Sequence, residues 1–139
     1  MTETRAFPNA PQSVRAARKF ALEALGGYPR ETLEVVELLV SELAGNCVRH
    51  TSTRFVVGVS DDRGVIRIEV TDRGPGEPSV RHVDPSAISG RGLALVESLS
   101  QSWGVRHSRT GTSGKTVWFE VPTAARRGVN GWAARTGPA

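Results

Sequence analysis

Glu42, Asn46 and His50 follow one another at i, i+4 steps within Ser41-Glu42-Leu43-Ala44-Gly45-Asn46-Cys47-Val48-Arg49-His50. On a helix, that spacing stacks three side chains along one side. A carboxylate can take a proton from an attacking hydroxyl. An amide oxygen suits Mg²⁺, a hard cation that takes one or two protein oxygens and leaves its other positions to phosphate and water. An imidazole near a helix C-terminus equally suits a partial positive charge at the helix end. Taken alone, the three residues fit polar decoration of a half-exposed helix better.

Two glycine turns lie downstream. Asp72-Arg73-Gly74-Pro75-Gly76 puts a carboxylate at a strand end, followed by two conformationally free positions. Such a carboxylate can accept a hydrogen bond from an exocyclic amine such as that of adenine, or simply cap a turn. Gly90-Arg91-Gly92-Leu93 stands where a helix should begin. Unpaired N–H groups and the positive end of the helix dipole make such a point an anion site, and glycine lets a phosphate come close. A flexible loop before a helix is the plain alternative. A dinucleotide fingerprint is not supported, because the full glycine spacing, a preceding strand and the following acid are missing.

The elements that would position these groups can be read from periodicity. Residues 2–7 suit an edge strand ended by Pro8 and Pro11. Residues 12–25 carry Val14, Ala17, Phe20 or Ala21, and Leu25 at helical spacing, stopped by Gly26-Gly27. A second helix is expected over residues 30–50, with Leu33, Val36, Val40, Leu43 and Cys47 on one face. Glu34, Glu37 and Ser41 form a flank expected to be solvated. Glu42 and Asn46 form the other flank, beside Val35 and Leu39, as cleft-lining groups would. Gly45 costs about 1 kcal/mol of helix propensity relative to Ala, which suggests close approach by another group.

A hairpin is expected next, with strands at 54–60 and 65–71 around the turn Asp61-Asp62-Arg63-Gly64. Residues 77–89 read as a flap-like loop, a third helix opens at Gly90, and strands at 102–108 and 115–121 close the fold. The order α, ββ, α, ββ predicts an α+β sandwich, a mainly antiparallel sheet covered on one face by helices. The domain is expected over 1–123, with a disordered basic tail at 124–139.

Bulk properties narrow the partners. The formal charge is +4 and the pI about 10.2. Arg126, Arg127 and Arg135 in the last segment account for three of those charges. The rest is nearly neutral, so a nucleic-acid partner is not expected. Cys47 is the single cysteine, which excludes an intrachain disulfide, and its place in the apolar stripe suits a buried structural thiol. The N-terminal residues lack the apolar core of a signal peptide, and no apolar run approaches the roughly 20 residues of a membrane span. A cytoplasmic protein without membrane association is the expectation.

In this order and spacing, Glu-x3-Asn-x3-His, Asp-x-Gly-x-Gly and Gly-x-Gly-Leu resemble the N box and the two glycine boxes of the GHKL (Bergerat-fold) ATPase superfamily. The resemblance spans roughly residues 2–121. Its nearest likeness is to bacterial anti-sigma-factor serine/threonine kinases, which also carry a Glu before the Asn and a His after it. The resemblance implies a mainly antiparallel mixed sheet under about three helices, and ATP with Mg²⁺ as ligands. It makes Asn46 the Mg²⁺ ligand and Glu42 the general base. Asp72 would bind the adenine amine, Gly74 and Gly76 would shape the pocket floor, and Thr116 would help fix adenine through water. Gly90, Arg91, Gly92 and Leu93 would lie at the phosphates, where Arg81 and Arg91 are both candidates for the γ-phosphate. Arg49, three residues after Asn46, matches the basic position of sensor histidine kinases. The implied function is an ATP-dependent protein serine/threonine kinase acting on a regulatory protein. An anti-anti-sigma antagonist, a sigma factor, or both are the implied partners, with the first strand and helix as a possible homodimer edge. A non-catalytic, nucleotide-gated binding module and an ATPase domain derived from a sensor histidine kinase are the alternatives.

Overall fold

Period-two alternation builds the sheet and a 3.6-residue stripe builds the helices that cover it. The computed structural model describes residues 2–72, 98–107 and 114–122. Its strands are β1 (Thr2–Phe7), β2 (Phe55–Asp62), β3 (Val65–Asp72), β4 (Ser102–His107) and β5 (Lys115–Pro122). Two helices, α1 (Gln12–Ala24) and α2 (Arg30–His50), lie between β1 and β2 in the chain. The sheet order is β1-β2-β3-β5-β4. Every pairing among the described residues is antiparallel, so the expected mixed sheet has no parallel pair among them. The α+β architecture is as expected. Of the third helix, Ser98 and Leu99 are helical and Leu99 packs on the core; its start at Gly90 lies outside the described residues. So do the flap and the 124–139 tail.

Val57 and Val59 of β2, Ile66, Ile68 and Val70 of β3, and Val117, Phe119 and Val121 of β5 form the helix-side layer. Against them α2 buries Val36, Leu39, Val40, Leu43, Ala44 and Cys47, the stripe its sequence announces. Phe7 stacks on Phe55 and meets Phe20 edge-on, which seals the β1 end of the core. No helix among the described residues is long and apolar enough to cross a membrane.

The β2–β3 turn is tighter than expected. Both strands run up to Arg63-Gly64, whose positive φ values of 51° and 83° give the two-residue hairpin turn that matches strand twist. Glycine takes that conformation without steric cost; Arg63 does not. Tyr28 donates a hydrogen bond from its hydroxyl to Asp61 and ties the helix–helix connection to the hairpin.

The opposite sheet face is polar and cross-linked. Arg67 sits over the Trp118 ring, 4.2 Å from its centroid, and pairs with Glu69 and Glu120 at 2.9 Å each. Burial works against the Arg67 charge, but the two carboxylates outweigh it and hold the guanidinium above its ordinary pKa. Trp118 lies flat across Gly104, where a Cβ would come within 2.9 Å of the indole.

Candidate functional site

The C-terminal half of α2 is fixed from three sides. Asn9 donates from Nδ2 to the carbonyl oxygens of Cys47, Thr51 and Thr53, at 3.2, 3.2 and 2.9 Å. Thr51 adds a hydroxyl donation to the Cys47 carbonyl at 2.9 Å. These bonds satisfy acceptors that a helix end leaves unpaired. On one flank Arg18 of α1 donates to the Ser41 hydroxyl at 2.9 Å and pairs with Glu37 at 3.7 Å. Glu34 is exposed and Glu37 keeps 46% of its side chain exposed, as expected of this flank, but Glu37 and Ser41 also meet α1 through Arg18. The α1 group that meets it, Arg18, is 23 residues away in sequence from Ser41, invisible to a helical wheel.

On the other flank Glu42 and Asn46 are half-buried, as cleft-lining groups should be, and His50 is exposed. Arg49 folds back over them. Its Nη2 donates to Asn46 Oδ1 at 3.2 Å and lies 3.8 Å from Glu42 Oε2. The close approach anticipated at Gly45 is this guanidinium, since a Cβ there would meet Arg49 Nη1 at 3.2 Å. The clash would fall on the far end of a flexible side chain. Gly45→Ala is therefore expected to stabilise the fold by about 0.5–1 kcal/mol, read as a raised denaturation midpoint. A lower midpoint would mean that Arg49 cannot yield.

Cys47 points into the core with its thiol pKa pushed up to about 12, first by burial and then by the negative charge of Asp72; Lys115 works in the opposite direction. At neutral pH it is a protonated, inert thiol, the structural role expected. Here α2 packs against β3.

Asp72 is the last residue of β3 and is 2% exposed. It sits opposite Lys115, the first residue of β5, and Lys115 Nζ donates to Asp72 Oδ2 at 2.9 Å. Both project to the helix side, in phase with Val70 and Val117. Thr116 projects to the opposite face, where its hydroxyl bonds that of Thr71 at 2.8 Å. The structure thus does not bring Thr116 together with Asp72. The Lys115 partner of Asp72 is legible only from strand phase: it stands two, four and six residues before Val117, Phe119 and Val121. Gly74, Gly76, Gly90, Arg91, Gly92 and Leu93, with Arg81, lie outside the described residues.

Glu42 and Asn46 offer hard oxygen donors one turn apart, a set that fits a mostly hydrated, phosphate-bound Mg²⁺. Among the described residues no group of three or more His, Cys, Asp or Glu side chains could hold a metal by itself.

Solved structures similar to this chain include two histidine kinases. The histidine kinase domain of the Erythrobacter litoralis EL346 blue-light activated histidine kinase is 24% identical, with a TM-score of 0.48, over 78% of this chain and 51% of that one. The Acinetobacter baumannii histidine kinase AdeS is 15% identical, with a TM-score of 0.49, over 87% of this chain and 68% of that one. The chain therefore spans about half the length of the first of these. No curated protein gives a significant match. The family model of the histidine kinase-like ATPase domain matches residues 7–121, and the chain belongs to that family, within the GHKL ATPase superfamily.

Proposed function

We propose that this protein binds ATP with Mg²⁺ and transfers the γ-phosphate to a serine or threonine of a regulatory protein, in the manner of an anti-sigma-factor kinase acting on an antagonist. The observation that carries this reading is the half-buried Glu42–Asn46 pair, one helical turn apart on α2. Membership of the ATPase family supports nucleotide binding. The carboxylate at Glu42 supports a hydroxyl acceptor, which must lose a proton as it attacks.

Asp72 accepts a hydrogen bond from the adenine amine. Asn46 Oδ1 is the protein ligand for Mg²⁺, which when bound neutralises charge on the phosphate oxygens. Glu42 takes the hydroxyl proton while the acceptor oxygen bonds to the γ-phosphorus. The bond from that phosphorus to the bridging oxygen breaks, ADP leaves, and the proton passes from Glu42 to solvent. Little further covalent chemistry is asked of the protein, because phosphoryl transfer depends mostly on position and charge. Arg49 must release Asn46 Oδ1 before the metal can take it.

That last contact favours a second reading, a non-catalytic module whose protein partner is bound or released according to nucleotide. Incubation with γ-labelled ATP, Mg²⁺ and candidate antagonist proteins separates the two. The kinase reading expects label on a serine or threonine of the antagonist. Stable complex formation with no label assigns the binding module, and label on a histidine assigns an ATPase domain of sensor-kinase type.

A further inference from the structure

Lys115, the ion-pair partner of Asp72, has no part in the chemistry just described. The two side chains are 13% and 3% exposed, and the N–O distance is 2.9 Å. A buried pair of this kind is commonly no more stabilising than two well-packed apolar residues. Stability alone is therefore a poor account of a lysine in the apolar phase of β5.

A lone carboxylate at the base end of a nucleotide site reads one feature, a hydrogen-bond donor. An ammonium beside it changes what is read. Lys115 carries three N–H donors, so its bond to Asp72 Oδ2 does not exhaust it. An acceptor and a donor one hydrogen-bond length apart match a base edge on which an amine stands beside a ring nitrogen. Adenine has this pattern on two edges, with its amine next to N1 on one and next to N7 on the other. The strand register holds both groups at the same height on adjacent strands, directly opposite each other. The pair is thus fixed by the sheet itself rather than by a loop.

We propose that Lys115 is a specificity-determining residue of the nucleotide site, donating to a purine ring nitrogen while Asp72 accepts from the neighbouring amine. The inference rests on the ATP-binding reading above and adds a second contact that Asp72 alone cannot supply.

Equilibrium binding of ATP, 1-deaza-ATP and 7-deaza-ATP tests it, first with the unaltered protein. One of the two deaza analogues is expected to bind about tenfold or more weakly than ATP, the loss for a charge-assisted hydrogen bond. Lys115→Met, checked for folding by its thermal transition, is expected to bind ATP and that analogue alike. Equal binding of all three nucleotides by the unaltered protein overturns the role of Lys115 while leaving the ATP site standing. So does discrimination that survives in Lys115→Met. Failure of the unaltered protein to bind ATP at all removes the nucleotide reading and this inference with it. The analogue series on unaltered protein decides the matter even if the variant does not fold.

Discussion

Replacing Asp72 by Asn is expected to weaken ATP binding about a hundredfold and to destabilise the fold by about 3 kcal/mol. The two losses have different origins. A carboxylate accepts from an exocyclic amine with charge assistance, a contact worth about 1.5–3 kcal/mol, whereas an amide is a weaker acceptor and presents an NH₂ group of its own. Stability falls because Lys115 keeps its charge while its partner, 2.9 Å away, loses one. Removing one member of a buried pair typically costs about 3–5 kcal/mol. The low end applies here, since the Lys115 side chain retains 13% exposure and a path to water. Calorimetric titration with ATP and a denaturant melt read the two quantities. Asp72→Leu combined with Lys115→Met separates them: with both charges gone, most of the stability should return while ATP affinity does not. Equal ATP affinity in Asp72→Asn and unaltered protein would remove Asp72 from the site.

Much of this arrangement is visible in the sequence, for reasons that differ by element. The α2 stripe of Val36, Val40, Leu43 and Cys47 is readable because one helix face is buried along its whole length. Alternation in β3 is equally clear, since Ile66, Ile68 and Val70 face the helices while Arg67, Glu69 and Thr71 do not. The α1-facing flank of α2 is harder. Glu37 and Ser41 have the composition of a solvated surface, and only the position of Arg18 on another helix gives them a buried side. Lysine at 115 is misleading for a related reason. After a glycine-containing turn it has the look of a solvated strand start, and Thr116 is the more familiar candidate to contact a base. Phase along β5 contradicts that impression, because Lys115 and not Thr116 shares a face with Phe119. Chemical type points to Thr116, and strand phase puts Lys115 beside Asp72. The Glu42–Asn46 spacing was legible, but the Arg49 guanidinium spanning both was not. A helix turn allows that contact without requiring it, and the missing Cβ of Gly45 makes room for it.

Glu42→Ala is expected to reduce phosphotransfer by about 10²–10⁴-fold, the usual contribution of a positioned general base, with ATP affinity changed by less than about threefold. The separation follows from what Glu42 touches. Its carboxylate lies 3.8 Å from the Arg49 guanidinium, and with side chains 20% and 51% exposed the pair is partly screened and contributes little to stability. Loss of that ion pair should therefore cost the fold little, and leave adenine contacts at the Asp72 end untouched. Arg49 would keep its bond to Asn46 Oδ1, at 3.2 Å, but lose the opposite charge that helps hold it there. Release of Asn46 to the metal would then become easier, so nucleotide binding should not suffer and can strengthen slightly. A base and a ligand can be told apart on this ground: removing a ligand weakens ATP binding with transfer, whereas removing a base weakens transfer alone. Single-turnover transfer to the antagonist and ATP titration of the same preparation give both numbers. If phosphorylation persists in Glu42→Ala, another group takes the proton. If ATP binding falls in parallel with transfer, Glu42 belongs with Asn46 at the metal, and the hydroxyl acceptor loses its support.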